Sequence, residues 1–307
     1  VPPRLRLVDA IEQFLAGYFA TNDRSRKTAD AYALDLRQFD AFAGTRKTIR
    51  SIKPELIESW ALKLKNDGYA TASIRRKLAS VRGFFAYWTR KRAIPFSPMS
   101  GLRVELAASR TLPTFMTIDE VAAILREASR RFANGGDFLS LRNLAIIEVL
   151  FATGMRVGEL VSLRLTDMRP DDRSLLIRGK GRRERLAFFV EPISYARIID
   201  YQTLRTATPS LDNSLFVNAA GRPLTTQAVA NILRDLCTAA GIQKHVTPHT
   251  FRHTVATLLL RNGADIRIVQ ELLGHSSITM TQRYTHVVKE QMVRVVTACH
   301  PRAGLSE

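Results

Sequence analysis

The sequence predicts a mostly α-helical protein with one small β-sheet, divided into a helical N-terminal domain and a mixed α/β second domain. Three observations carry this expectation. From Leu7 to about Arg92, apolar residues recur at three- and four-residue spacing almost without interruption. A stretch containing Pro95, Pro98, Gly101 and Pro113 then breaks the periodicity. Beyond it, two apolar and β-branched runs flank a Gly-Lys-Gly turn inside an otherwise helical half. At 307 residues the chain suits two cores better than one. The expected division is residues 1–102, a linker over 103–113, and a second domain over 114–307.

Taken in order, helices are expected over Leu7–Phe19, Arg26–Phe42, Pro54–Asp67 and Thr71–Arg90. Pro54 suits a first helical turn, and Gly44 and Gly68 stand where helices stop. The last of the four carries Arg75, Arg76, Lys77 and Arg82 beside Phe84, Phe85, Tyr87 and Trp88. The aromatics read as core, because a small bundle needs large side chains to bury enough area. The four cations read as candidates for phosphate contact.

In the second domain, Thr117-Ile-Asp-Glu120 has the form of a capping box opening a helix through Arg131. Leu139–Thr153 reads as an apolar helix closed by Gly154. Ser174–Arg178 and Arg185–Val190 predict a hairpin with a basic tip that includes Lys180, Arg182 and Arg183. A shorter strand is expected at Leu215–Asn218. After Thr225 the pattern is helical to Cys299, with breaks near Gly241, Gly263 and Gly274.

The 46 basic and 28 acidic residues leave a formal charge of +18, of which +10 falls in residues 1–105 and +8 in residues 106–307. Both domains therefore favour a polyanionic partner, whose condensed counterions are released on binding. No apolar run is long enough for a transmembrane helix, so a membrane partner is not expected. Cys237 and Cys299 show no disulfide or metal-ligand spacing and suit reduced thiols in a cytoplasmic protein.

All six histidines lie between positions 245 and 300. In Thr247-Pro-His-Thr-Phe-Arg-His253, Thr247 can cap a helix and Pro248 can begin it. His249 then falls in the first turn, with Arg252 three residues later on the same face. His249 and His253 have zinc-like spacing, but threonine follows His249 where a metalloprotease needs glutamate, so no metal is expected. His253 reads as packing or support.

Arg156 stands just past the Gly154 break, with Glu159 one helical turn on and able to hold its guanidinium. Viewed alone, the pair is better read as a plain surface ion pair. Residues 106–307 contain 23 arginines and only three lysines, and one of these, Lys180, sits at the hairpin tip. Lysine can surrender a proton where arginine cannot, which suits protonation of a leaving alkoxide; a solvated turn lysine is the plainer reading. Tyr284 lies nine residues after His275. Among arginines and histidines it becomes a candidate nucleophile.

Together TGMRVGEL, GKGRRER, PHTFRH, LLGHSS and TQRYTH resemble, in order and spacing, the phage-integrase or tyrosine recombinase superfamily. The run from Pro248 to Arg302 is most similar to its Xer-type members. The resemblance implies a SAM-like core-binding domain and a catalytic domain that form a C-shaped clamp on DNA. It implies Arg156 and Arg252 on the scissile phosphate, His249 and His275 completing that shell, and Glu159 in support. It further implies Lys180 as the proton donor to the leaving 5′ hydroxyl and Tyr284 as the nucleophile that leaves a 3′-phosphotyrosine. No cofactor or ATP is implied.

The implied partner is a double-stranded recombination site, held by a tetramer on two sites. The tetramer consists of this chain alone or of this chain with a related recombinase, and Lys289–Val296 docks on a neighbouring subunit. The implied process is chromosome-dimer resolution or mobile-element integration and excision. A type IB topoisomerase, or a DNA-binding accessory protein without turnover, stands as the alternative.

Overall fold

A computed structural model of the chain describes residues 5–21, 26–44, 46–102, 115–179, 184–189, 191–207, 212–274 and 294–304. The chain divides into two compact units, Val1–Leu112 and Pro113–Glu307. The expected linker, 103–113, lies outside the described residues. No described helix is long and apolar enough to cross a membrane.

The first unit contains α1 (Leu7–Thr21), α2 (Arg26–Ala43), α3 (Pro54–Asn66) and α4 (Thr71–Arg90), with a 3-10 turn at Ile49–Ser51. Their bounds fall within two residues of those read from periodicity. Pro54 occupies the first turn of α3, as its fixed φ favours. Phe14, Phe39, Trp60, Phe84 and Phe85 fill the core, so the aromatic face of α4 is packing surface.

The cations of α4 divide. Arg75 and Arg82 are exposed. Lys77, expected to contact phosphate, is buried; its Nζ donates to Asp35 Oδ1 at 3.2 Å and to Gln38. The rotation of a helix explains this correction, because Lys77 lies three residues after Ile74 and four before Val81, on the core face.

The second unit contains α5 (Ile118–Gly135), α6 (Phe138–Thr153), α7 (Val157–Ser162), β1 (Met168–Arg169), β2 (Ser174–Arg178), β3 (Glu184–Phe188), α8 (Pro192–Ala207), α9 (Thr226–Ala239), α10 (Pro248–Arg261) and α11 (Ile266–Leu273). The Thr117 capping box forms: Thr117 Oγ1 accepts from Glu120 N at 3.2 Å, and Glu120 Oε2 accepts from Thr117 N at 2.7 Å. α6 is buried from Leu144 to Thr153 and forms the central post against which α5, α8, α9 and α10 pack. The strands make an antiparallel sheet in the order β1-β2-β3, with Ile177 opposite Arg185.

The structure departs from the sequence pattern in two places. Leu215–Asn218 is not a strand; only the single bridges Arg164 to Ser214 and Val217 to Pro223 flank it. Leu215, Phe216 and Val217 are all buried, so the apolar run reflects burial on every side, which periodicity cannot distinguish from a strand. The third strand is instead the two-residue β1. Helix α8 was not visible in the pattern, because Ile193, Ile198, Ile199, Thr203 and Thr206 weaken its local propensity.

Of the segment expected to dock on a neighbouring subunit, 289–293 lies outside the described residues. From Arg294 to Gly304 the tail packs on its own unit. Residues 294–299 are helical and bury Val296 in the core. Buried Arg302 pairs with Glu148 at 3.0 Å.

Candidate active site

The site begins where α6 stops. Gly154 takes a left-handed conformation (φ 57°), and a Cβ there would lie 2.6 Å from Leu273 Cδ2 and 3.2 Å from Val255 Cγ1. Glycine thus permits both the turn and the close approach of α10 and α11. Two residues on, Arg156 caps α7, and its backbone N–H donates to Glu159 Oε2 at 2.9 Å. Arg156 Nη1 donates to Glu159 Oε1 at 2.8 Å, so the helical-turn pairing is present. It is more than a surface pair, since Glu159 is only 7% exposed.

Helix α10 starts as read from its sequence, with Thr247 accepting from Thr250 N and Pro248 in the first turn. Arg252 is buried; its Nη1 donates to Gly154 O at 2.9 Å and its Nη2 to Leu273 O at 2.7 Å. Arg156 Nη2 donates to Gly274 O at 3.0 Å. Two guanidiniums therefore meet at the carbonyl end of α11, where unpaired carbonyls and the helix dipole favour cations. Burial, and then the charge of Arg156, push the Arg252 pKa down to about 10.

His249 lies in the first turn of α10 with an exposed side chain, one helical turn before Arg252. His253 is also exposed rather than packed inside, and it sets its ring against the edge of Phe115 at 6.4 Å. Lys180, Arg182, Arg183, His275 and Tyr284 lie outside the described residues. His275 follows Gly274 directly in sequence. Among the described residues, no group of three or more His, Cys, Asp or Glu side chains could hold a metal ion.

One residue of the site escaped sequence reasoning. Arg185 on β3 is buried, donating Nη2 to Glu159 Oε2 at 2.8 Å, Nη1 to Glu159 Oε1 at 3.2 Å, and Nε to Leu272 O at 3.1 Å. Its signal was its register: it pairs with inward-facing Ile177, so its side chain must enter the unit. Burial pushes the Glu159 carboxyl up, but hydrogen bonds and charge from Arg185, followed by Arg156, outweigh it and hold the pKa below the ordinary value. Three guanidiniums around one carboxylate leave surplus positive charge, an arrangement suited to an oxyanion.

The description "Phage integrase family" matches residues 114–291, and "Phage integrase, N-terminal SAM-like domain" matches residues 11–92. The chain belongs to the phage integrase family. Within it, this recombinase is of the Xer type. It is 36% identical to tyrosine recombinase XerD of Halalkalibacterium halodurans, over 95% of this chain and 98% of the relative. It is 34% identical to tyrosine recombinase XerC of Listeria innocua, over 95% of this chain and 97% of the relative.

Solved structures share its fold. XerH site-specific recombinase bound to palindromic difH substrate, in a post-cleavage complex, aligns with TM-score 0.69 at 22% identity, over 94% of this chain and 83% of that one. A lambda integrase dimer bound to a COC′ core site aligns with TM-score 0.68 at 17% identity, over 92% and 99%. The expected pairing of a SAM-like helical domain with a recombinase catalytic domain is thus the fold of the chain.

Proposed function

We propose that this recombinase cuts and rejoins double-stranded DNA at a specific site through a 3′-phosphotyrosine at Tyr284, exchanging strands by way of a Holliday junction in the cytoplasm. The convergence of Arg156 and Arg252 on the edge formed by Gly154, Leu273 and Gly274 carries this reading. Two fixed guanidiniums can hold the non-bridging oxygens of a phosphodiester and offset the charge that builds on them during attack.

The Tyr284 hydroxyl gives up its proton to solvent, and its oxygen attacks phosphorus while the bond to the 5′ oxygen breaks. Lys180 gives its proton to that oxygen, and His249 and His275 complete the grip on the phosphate. The ester to the enzyme conserves the bond energy, so attack by a new 5′ hydroxyl reseals a strand without ATP. Glu159 acts by holding Arg156. Arg75, Arg76 and Arg82 in the first unit, with Arg182 and Arg183 beside Lys180, are the proposed contacts to the DNA backbone. Two recombination sites would be held by a tetramer of this chain, or of this chain with a related recombinase.

The test is covalent trapping. Cleavage positions mapped on host DNA define the site, and a nicked suicide duplex carrying it should accumulate a protein–DNA adduct. Tyr284→Phe should abolish the adduct while leaving duplex affinity within about twofold, since the hydroxyl contributes to chemistry and not to the ground-state grip. An adduct that persists in Tyr284→Phe rejects the assignment. Efficient relaxation of a plasmid without that site would point to a type IB topoisomerase.

A further inference from the structure

Glu159 is saturated. A carboxylate offers about four lone-pair sites, and here each oxygen accepts two donors. Oε1 takes Arg156 Nη1 at 2.8 Å and Arg185 Nη1 at 3.2 Å; Oε2 takes Arg156 N at 2.9 Å and Arg185 Nη2 at 2.8 Å. One guanidinium thus fixes the plane of the carboxylate from behind while the other is held in front. Arg156 keeps 40% of its side chain exposed, whereas Arg185 keeps 8%.

We propose that Arg185 is a positioning residue of the recombination site, its fork-shaped guanidinium locking Glu159, and through it Arg156, while tying β3 to the carbonyl end of α11. This rests on the reading of Arg156 as a phosphate ligand. Nε of Arg185 donates to Leu272 O, and a Cβ on Gly274 (φ 68°) would lie 3.2 Å from Arg185 Nη1. The same side chain therefore packs on the residue that precedes His275. Its strand also begins four residues after Lys180 in sequence. Arg185 thus links α7, through Glu159, to the end of α11.

Stability alone does not explain its presence. A buried ion pair is often replaceable by apolar groups of similar volume, so its energy is a poor reason for its presence. Orientation is a better one, because a lysine at 185 would restore the charge without the planar fork. The charged groups facing Glu159 are Arg156 at the start of α7, Arg185 from β3 and, at longer range, Arg252 from α10. Without Arg185, burial acts on Glu159 with less opposition and its pKa rises. A protonated Glu159 then releases Arg156 as the pH falls, which a purely structural residue would not cause.

The experiment measures single-turnover adduct formation on the mapped suicide duplex for the wild type, Arg185→Met and Arg185→Lys, from pH 5.5 to pH 9, with duplex affinity and thermal melting alongside. Arg185→Met should lose about 10- to 100-fold in rate, the range seen when the outer partner of a metal ligand is removed. Its duplex affinity should stay within about twofold. Its loss should deepen below neutral pH and shrink above it. Arg185→Lys should show a wild-type pH profile with a rate lowered about tenfold, because charge returns without the fork.

Wild-type rates in folded Arg185→Met at every pH overturn the proposal. If Arg185→Met does not fold, a wild-type rate in Arg185→Lys overturns it. A wild type that forms no adduct defeats the reading of Arg156 itself, and the proposal with it. A wild type that forms adducts beside fully active variants defeats the role of Arg185 alone.

Discussion

Each unit of the recombinase contains a buried carboxylate that holds one buried and one outward cation, and these two clusters differ in where the cations come from. In the first unit, Asp35 on α2 is fully buried and binds Arg76, Lys77 and Ser80, all from α4. In the second, Glu159 on α7 binds Arg156 from the preceding turn and Arg185 from β3. In both, one cation is buried and the other reaches outward: Lys77 and Arg185 inside, Arg76 and Arg156 at the surface. The first cluster docks one helix on another. The second joins a helix, a strand and the end of α11, and its outward arginine meets another guanidinium at a helix terminus. Only the second cluster gathers cations distant from one another in sequence and sets the outward one beside another guanidinium.

The largest expected effect separates the two clusters. Asp35→Ala strands the Lys77 ammonium without its counter-charge and should destabilise the first unit by about 3–5 kcal/mol. Both tryptophans, Trp60 and Trp88, lie in that unit, so tryptophan fluorescence during urea unfolding follows it alone. Asp35→Ala should move that transition to lower urea. Glu159→Ala should leave it in place while reducing adduct formation. An equal shift in both variants would show that the units unfold together and would dissolve the comparison.

The next effect belongs to the catalytic unit alone, since the first contains no histidine. Nε2 of buried His300 lies 3.2 Å from Phe151 O, and its Nδ1 accepts from Arg302 N at 3.1 Å, so the partners select the neutral ring with hydrogen on Nε2. Burial, and secondarily the nearby Arg302 charge, lower its pKa from 6.5 to about 4. The unfolded chain therefore takes up the proton first. The stabilisation is complete above pH 6.5 and is lost as pH falls toward 4, by roughly 3 kcal/mol in all. Circular dichroism should report a shallower loss in His300→Gln than in the wild type across this window, with the tryptophan transition unchanged by the substitution. Parallel slopes would remove His300 as the cause.

How much of this was legible in the sequence follows from the distance over which each signal acts. Helices α1 to α4 and the caps at Thr117 and Thr247 depend on neighbours within a few residues, and they were read correctly. The pairing of Arg156 with Glu159 is equally local. Arg185 reaches Glu159 across 26 residues, and Arg252 reaches Gly154 across 98, so neither contact could be read before the fold was known. Lys77 is the opposite case. Its spacing from Ile74 and Val81 marked the core face, but the adjoining Arg75 and Arg76 made the run look like one cationic surface. Successive helical residues turn by about 100°, so three such cations cannot all share a face.

The smallest effect tests what remains of that surface. With Lys77 turned inward, Arg76 is the outward member of the Asp35 cluster, its side chain 48% exposed while Asp35 holds the guanidinium. A phosphate contact there would be held in place in advance, as Arg156 is held by Glu159. Arg76→Ala should then weaken duplex binding similarly for the recombination site and for unrelated DNA, since a phosphate contact carries no base information. It should lower the slope of log affinity against log salt by about 0.9, the value for one released phosphate contact. Lys77→Met should leave that slope unchanged, because a buried ammonium releases no counterion from DNA. If Lys77→Met lowers the slope as much as Arg76→Ala does, the inward and outward assignments are wrong and the parallel between the two clusters fails at its first unit.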